Sequence, residues 1–245
     1  MAINSGNSFC RIENKYIIPL EKLPLLIEAI SDYVEYDKFA KEKGCYQVNS
    51  IYFDNVYGDI HNRNIAKPKF KEKLRLRSYG GDKPIFFLEF KDKVLKDVYK
   101  RRIYLSQKEV DDFVKEGIFP PKNGESKHDE FIDELAIFKE RYRGSIVPNT
   151  LMQYERVAYM NKPGADYLRL TVDRNIRYRR EDFEINKPGG KLLLKEGYGI
   201  LEIKFIGAMP LFVAKALNDL GLHRQTFSKF GTSYLNEAKE ARLVG

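Results

Sequence analysis

Cysteine is scarce in this chain of 245 residues. Cys10 and Cys45 are too few and too far apart for a disulfide framework or a thiolate zinc site, and they read as free thiols of a reducing compartment. Histidine is scarce too: His61, His128 and His223 show neither metal-ligand nor triad spacing, so all three are expected at the surface. No apolar run approaches the roughly 20 residues of a membrane span. The start, MAINSGNS, lacks the basic and apolar regions of a secretion signal. No repeat, low-complexity tract or linker divides the chain, so one cytoplasmic domain over residues 1–245 is expected.

What is abundant is charge on a globular background: 43% of residues are hydrophobic and 32% charged. The formal net charge is +8, and the sequence pI is about 9.2. The partners of such a chain are polyanions, whether nucleic acid, an anionic membrane surface or phosphate-rich small molecules. Only the placement of the charges can choose among these.

Alternation of apolar and charged residues predicts strands over residues 9–19, 47–54, 70–79, 85–92, 98–105, 150–160, 167–174 and 199–205. Helical patterns cover 21–33, 106–115, 129–143 and 211–220. The second opens with Ser106 and Glu109 as a capping box, and the third and fourth stop at Gly144 and Gly221. Residues 120–127 and 186–190 read as loops. The fold class is α+β: an antiparallel eight-stranded β-barrel with helices packed outside.

Side chains two apart on a strand share a face. Lys69, Lys71, Lys73, Arg75 and Arg77 therefore form one basic ladder, with Leu74 and Leu76 on the other side. Glu13 and Lys15, Glu89 and Lys91, Lys100 and Arg102, Tyr154 and Arg156, Arg169 and Asp173, and Glu202 and Lys204 repeat the arrangement. On any single strand this is the ordinary solvated face of an antiparallel sheet. Together the stripes favour arginine, whose planar fork grips phosphate oxygens in pairs, and they set a few carboxylates among many cations. With these faces inward, the barrel would be a tunnel for a polyanion. Glu13, Glu89 and Glu202 then offer hard oxygen ligands suited to Mg²⁺ or Mn²⁺, although for Glu89 salt bridging is an equal alternative. Most aromatics, as in IFFLEF, lie on the apolar parity and belong to a core, so no nucleic-acid partner is expected.

The ordered set RIENKYIIP, SIYFDN, KLRLRSYG, FLEFKDK, YKRRI, YERVAY, LRLTVDRNIRYR, LEIKF and SKFGTSYL resembles the VTC domain, the polyphosphate polymerase domain of the CYTH-like triphosphate tunnel superfamily. The resemblance implies an antiparallel tunnel whose basic side chains hold a triphosphate, with Mn²⁺ or Mg²⁺ on its oxygens. Matched by motif, Lys15, Arg75, Arg77, Lys91, Lys100 and Arg156 are the implied phosphate clamps. Tyr154, Ser228 and Lys229 are further phosphate contacts, and Arg63 and Arg169 join this set. Glu202 is the implied metal ligand, with Glu13 beside it. Arg75, Arg77, Lys91, Arg156 and Glu202 would carry the reaction.

Hydrolytic CYTH enzymes carry Glu-x-Glu-x-Lys, and here the run is Arg11, Ile12, Glu13, Asn14, Lys15. An arginine in place of the first carboxylate makes two-metal activation of water harder to build and matches the polymerase branch. The implied activity is transfer of the γ-phosphate of ATP to polyphosphate, orthophosphate or pyrophosphate. Two rivals stay open: a triphosphatase or nucleoside triphosphatase of the same fold, and a polyanion-binding module without chemistry. With no span in the sequence, any coupling to a membrane would need a separate membrane partner.

Overall fold

The computed structural model describes residues 11–66, 69–80, 84–95 and 97–244; Phe9 and Cys10 lie outside the described residues. The strands in chain order are β1 (Arg11–Pro19), β2 (Val34–Tyr36), β3 (Tyr46–Asp54), β4 (Phe70–Tyr79), β5 (Ile85–Val94), β6 (Asp97–Leu105), β7 (Val147–Asn161), β8 (Leu168–Arg179), β9 (Lys191–Leu192) and β10 (Tyr198–Ile206). The helices are α1 (Leu23–Ile30), α2 (Lys38–Lys43), α3 (Asp59–Ile65), α4 (Gln107–Asp111), α5 (Ser126–Arg141), α6 (Leu211–Asp219) and α7 (Lys229–Val244). The fold is α+β, and every recorded strand pairing is antiparallel. The eight expected strands are the eight long ones, and the short β2 and β9 add to them.

The chain forms two compact units. The first gathers residues up to Tyr46, Glu155–Asn175 and Leu194–Phe227. Its strand order is β1-β10-β8-β7, with β2 on the C-terminal end of β7. Alternation supplies the core: Tyr16 and Ile18 of β1, Leu201, Ile203 and Phe205 of β10, and Leu168, Leu170 and Val172 of β8 are buried together. Leu26 and Ile30 of α1 and Val213 and Leu217 of α6 belong to the same cluster, so the helices supply the apolar partner that this sheet face needs.

The second unit gathers Gln47–Tyr154, Ile176–Leu193 and the chain from Ser228 on. Its order is β7-β3-β4-β5-β6, with β9 on the end of β8. Ile51 and Phe53 of β3, Leu74 and Leu76 of β4, Phe86, Leu88 and Phe90 of β5, and Ile103 and Leu105 of β6 point to one side. There α5 lays down Phe131, Ile132, Leu135 and Phe138, and the Phe90 ring lies 5.0 Å from Phe131 and 5.1 Å from Phe138. The Ser106 capping box forms as read: Glu109 N donates to Ser106 Oγ at 3.3 Å, and Ser106 N donates to Glu109 Oε2 at 2.7 Å.

Two helices of this unit escape the pattern analysis. The start of α3 is held by the buried carboxylate of Asp54, which accepts from Ile60 N and His61 N at 2.9 Å each. α7 is preceded by Ser228, whose Oγ accepts from Gly231 N at 3.2 Å in the first turn. These helices also correct the reading of the histidines. His223 is exposed, but His61 is buried, stacked on Tyr234 at 3.2 Å and edge-on to Phe230 at 5.3 Å. Burial pushes its pKa down to about 4, and the positive charges of Arg180 and Lys73 add to the effect, so the imidazole is neutral and serves as a packing group.

Leu135 is 0% exposed in the centre of the second core. Leu135→Ala is predicted to lower stability by about 2–5 kcal/mol in urea denaturation, by lost transfer energy and the cavity left behind. A loss under about 1 kcal/mol would contradict this packing.

Candidate functional site

In the second unit the sheet face opposite the core carries the charges. Register aligns Tyr52 of β3 with Arg75 of β4, Glu89 of β5 and Arg102 of β6. The next rows are Ser50, Arg77 and Phe87 on one side and Lys73, Lys91 and Lys100 on the other. Glu89 is 0% exposed, with Arg75 Nε at 2.7 Å, Lys100 Nζ at 2.5 Å and Arg77 Nη1 at 4.0 Å. Of the two roles left open for Glu89, the structure gives it the salt bridges. Burial would push its carboxyl up, but Arg75, Arg77 and Lys100 outweigh burial and hold it down at about 2. Arg77 is further fixed by donating from Nε to Ser50 Oγ at 3.1 Å and from Nη1 to Tyr79 OH at 3.0 Å, and Arg102 lies 4.3 Å over the Phe87 ring.

The start of α7 reaches the same face. Lys73 Nζ lies 3.5 Å from Ser228 Oγ, Lys229 Nζ is 4.8 Å over the Tyr154 ring, and Phe230 stacks on Tyr52 at 5.0 Å. The structure thus brings together Arg75, Arg77, Lys91, Lys100, Tyr154, Ser228 and Lys229 of the expected set. It does not bring Arg63, which belongs to α3: its guanidinium is 3.7 Å from Glu72, a residue of the opposite parity of β4. Glu72 is buried there, accepting from Tyr142 OH at 2.6 Å and Arg141 Nη1 at 2.7 Å. Arg63 therefore stabilises a buried carboxylate away from the basic ladder.

Tyr52 is the residue that sequence reading overlooked. Burial alone would push its phenol up, yet Arg75, Arg77, Lys73 and Lys229 draw it down from 10.0 to about 7. The signal was present in SIYFDN, where Ser50 and Tyr52 alternate with the core residues Ile51 and Phe53.

The first unit carries a second charged set. On β1 and β10, Glu13 faces Lys204 and Lys15 faces Glu202. Lys15 Nζ lies 3.1 Å from Glu13 and 3.8 Å from Glu202, and it donates to the carbonyl of Phe227 at 3.3 Å. Lys204 bridges the same two carboxylates, 3.6 Å from Glu13 and in a direct ion pair with Glu202. Arg156 forms a two-pronged pair with buried Asp173, Nε to Oδ1 at 2.6 Å and Nη2 to Oδ2 at 2.8 Å. Arg169 pairs with Asp37 at 2.8 Å, and Asp37 also caps α2 by accepting from Ala40 N at 2.9 Å. Arg11 lies over the Tyr167 ring at 4.7 Å.

Among the described residues no three His, Cys, Asp or Glu side chains are placed to hold a metal ion. A cage made wholly of protein ligands therefore does not fit. Two carboxylates, Glu13 and Glu202, do fit a hard cation of the Mg²⁺ type that takes the rest of its shell from phosphate oxygens and water.

The family model of the VTC domain matches residues 10–236. Subunit 2 of the vacuolar transporter chaperone complex of Saccharomyces cerevisiae is 28% identical over 163 residues, which cover 58% of this chain and 19% of that protein. A solved structure from Bacillus halodurans, provisionally described as an adenylate cyclase, superposes with a TM-score of 0.52 at 13% identity over 89% of this chain and 95% of its own. That likeness is one of fold.

Two outcomes follow from the electrostatics. With Glu89 at about 2 in the folded chain against a usual 4.5, its stabilisation is complete above about pH 4.5 and is lost as pH falls toward 2. Urea denaturation from pH 6 to 2 is predicted to show this loss in the parent and a shallower one in Glu89→Gln; equal slopes would contradict the assignment. Tyrosine absorbance at 295 nm is predicted to titrate in part with a midpoint near 7, a component that Tyr52→Phe removes, and its persistence in that variant would assign it elsewhere.

Proposed function

The chain belongs to the VTC domain family, and we propose that it transfers the γ-phosphoryl group of ATP to the end of a polyphosphate chain, releasing ADP. The observation that carries this reading is the set Arg75, Arg77 and Lys100 fixed around the buried carboxylate of Glu89, with Lys73 and Lys91 in the next row of the same face and Lys229 beside it over the Tyr154 ring. A face so rich in guanidinium and ammonium groups is suited to a chain of phosphates.

Phosphoryl transfer passes through a loose transition state, so the protein has chiefly to align donor and acceptor and to stabilise charge. Arg75 and Arg77 present guanidinium edges whose orientation Glu89, Ser50 and Tyr79 have already set, which lowers the cost of ordering them around a phosphate. Within the first unit Arg156 is likewise a guanidinium oriented in advance, by Asp173, and Lys15 supplies a flexible ammonium group. The acceptor, a phosphate, is already an anion, so no Ser, Cys or His nucleophile is needed. A divalent cation held by Glu202 and Glu13 would offset negative charge on the phosphate oxygens that complete its shell. Arg11 lies where hydrolytic relatives of the fold carry a carboxylate, which favours a phosphate over water as acceptor.

The yeast relative is a subunit of a vacuolar transporter chaperone complex, and this chain matches about a fifth of its length. Among the described residues no helix is long and apolar enough to cross a membrane. We also propose that polyphosphate synthesis is coupled to a membrane through a partner, with orthophosphate or pyrophosphate as the first acceptor.

The test is to incubate the protein with ATP and Mn²⁺ or Mg²⁺, resolve the products on a gel stained for polyphosphate, and assay ADP and free phosphate. Chains with matching ADP are expected, and Arg75→Ala or Arg156→Ala is expected to reduce synthesis by at least about a hundredfold, in line with loss of a charged group that stabilises a transition state. Free phosphate without chains would establish the hydrolase instead, and near-parental synthesis in either variant would remove that arginine from the mechanism.

A further inference from the structure

On β8, Leu168, Leu170 and Val172 enter the core of the first unit, so Arg169, Thr171 and Asp173 share the opposite face. Register completes a row across three strands: Lys15 of β1, Glu202 of β10 and Thr171 of β8. Arg169 is paired with Asp37, and Asp173 with Arg156. The Thr171 side chain is different. The residue is 2% exposed, and its hydroxyl makes no hydrogen bond.

A buried hydroxyl without a partner is destabilising, because the hydrogen bonds it made to water are lost and nothing replaces them. Valine has the same shape, suits a strand equally well and would carry no such penalty. A threonine here is thus explained by a partner that arrives with the ligand. Its neighbour in the register is Glu202, whose two carboxylate oxygens are engaged by Lys15 and Lys204. Both lysines are partly exposed, at 27% and 32% of their side chains, and can turn toward an incoming phosphate. Once they do, Glu202 and the hydroxyl face an oxygen-rich ligand together.

We propose that Thr171 is a ligand-binding residue: its hydroxyl donates to an oxygen held at Glu202, either a phosphate oxygen or a water on a divalent cation. This rests on the reading of Glu13 and Glu202 as a cation site that is shared with phosphate. The hydroxyl adds one directional donor to a cluster otherwise made of ammonium and carboxylate groups, and so fixes where the oxygen sits.

The experiment compares Thr171→Val, Thr171→Ser and Glu202→Gln with the parent in three binding titrations: Mn²⁺ alone followed by electron paramagnetic resonance, tripolyphosphate alone in chelator, and the two together. Thermal melting of each variant without ligand is measured beside them. Thr171→Val is expected to melt at or above the parent and to bind about tenfold more weakly, the loss of one hydrogen bond of about 1.4 kcal/mol, while Thr171→Ser stays close to the parent. Weakening confined to the Mn²⁺ titration identifies the oxygen as a cation's water, and weakening confined to tripolyphosphate identifies it as phosphate. Parental affinities of Thr171→Val in all three titrations, with Mn²⁺ binding lost in Glu202→Gln, would overturn the proposal and leave the cation site standing. Parental affinities in Glu202→Gln as well would overturn the cation site and the proposal with it.

Discussion

The side chain of Glu89 has no exposed surface and lies among three cations, Arg75, Arg77 and Lys100. Burying a lone charge is prohibitive, and burying several cations without an anion is worse. The Glu89 carboxylate makes this arrangement of three cations foldable. The same face holds Tyr52, where Arg75, Arg77, Lys73 and Lys229 overcome burial and bring the phenol down to about 7. A face so rich in cations is suited to an anionic ligand. The first unit holds its cations differently, with Asp173 on Arg156, Asp37 on Arg169, and Glu13 and Glu202 shared between Lys15 and Lys204. There the charges nearly balance.

Such internal partners also serve geometry. A guanidinium held by two hydrogen bonds to a buried carboxylate, as Arg156 is by Asp173, has already given up the rotamer freedom that binding would otherwise take from it. For a reaction in which the acceptor brings its own charge, orientation of this kind is most of what a protein can contribute. The proposed activity therefore asks little of acid–base chemistry and much of the register that aligns Lys73 with Lys91 and Lys100, and Arg75 with Glu89 and Arg102.

That register explains which parts were legible in the sequence. Period-two alternation marks Leu74 and Leu76 against Arg75 and Arg77 without reference to any other strand, so the long strands and their charged sides could be read directly. Which carboxylate would hold which cation could not, because Asp37 with Arg169 and Asp173 with Arg156 depend on contacts far apart in the chain. α3 was hidden because it is held by Asp54, which sits several residues before the helix and points its carboxylate at Ile60 N and His61 N. Missing that helix left two of its residues misread: Arg63, expected at phosphate, turns to Glu72, and His61, expected at the surface, is packed under Tyr234. Tyr52 was passed over because an aromatic in a strand is ordinarily core, and only its place beside Arg75 in the register shows that it faces the charges.

The central claim is that these fixed cations grip a short phosphate chain as such. It is tested most directly by titration calorimetry of tripolyphosphate across a range of salt, set against orthophosphate and single-stranded RNA of equal total charge. The account predicts saturable tripolyphosphate binding that weakens as salt rises, with the other two anions far weaker. Equal binding of RNA, or tripolyphosphate binding no tighter than orthophosphate, would contradict it and leave a general polyanion surface.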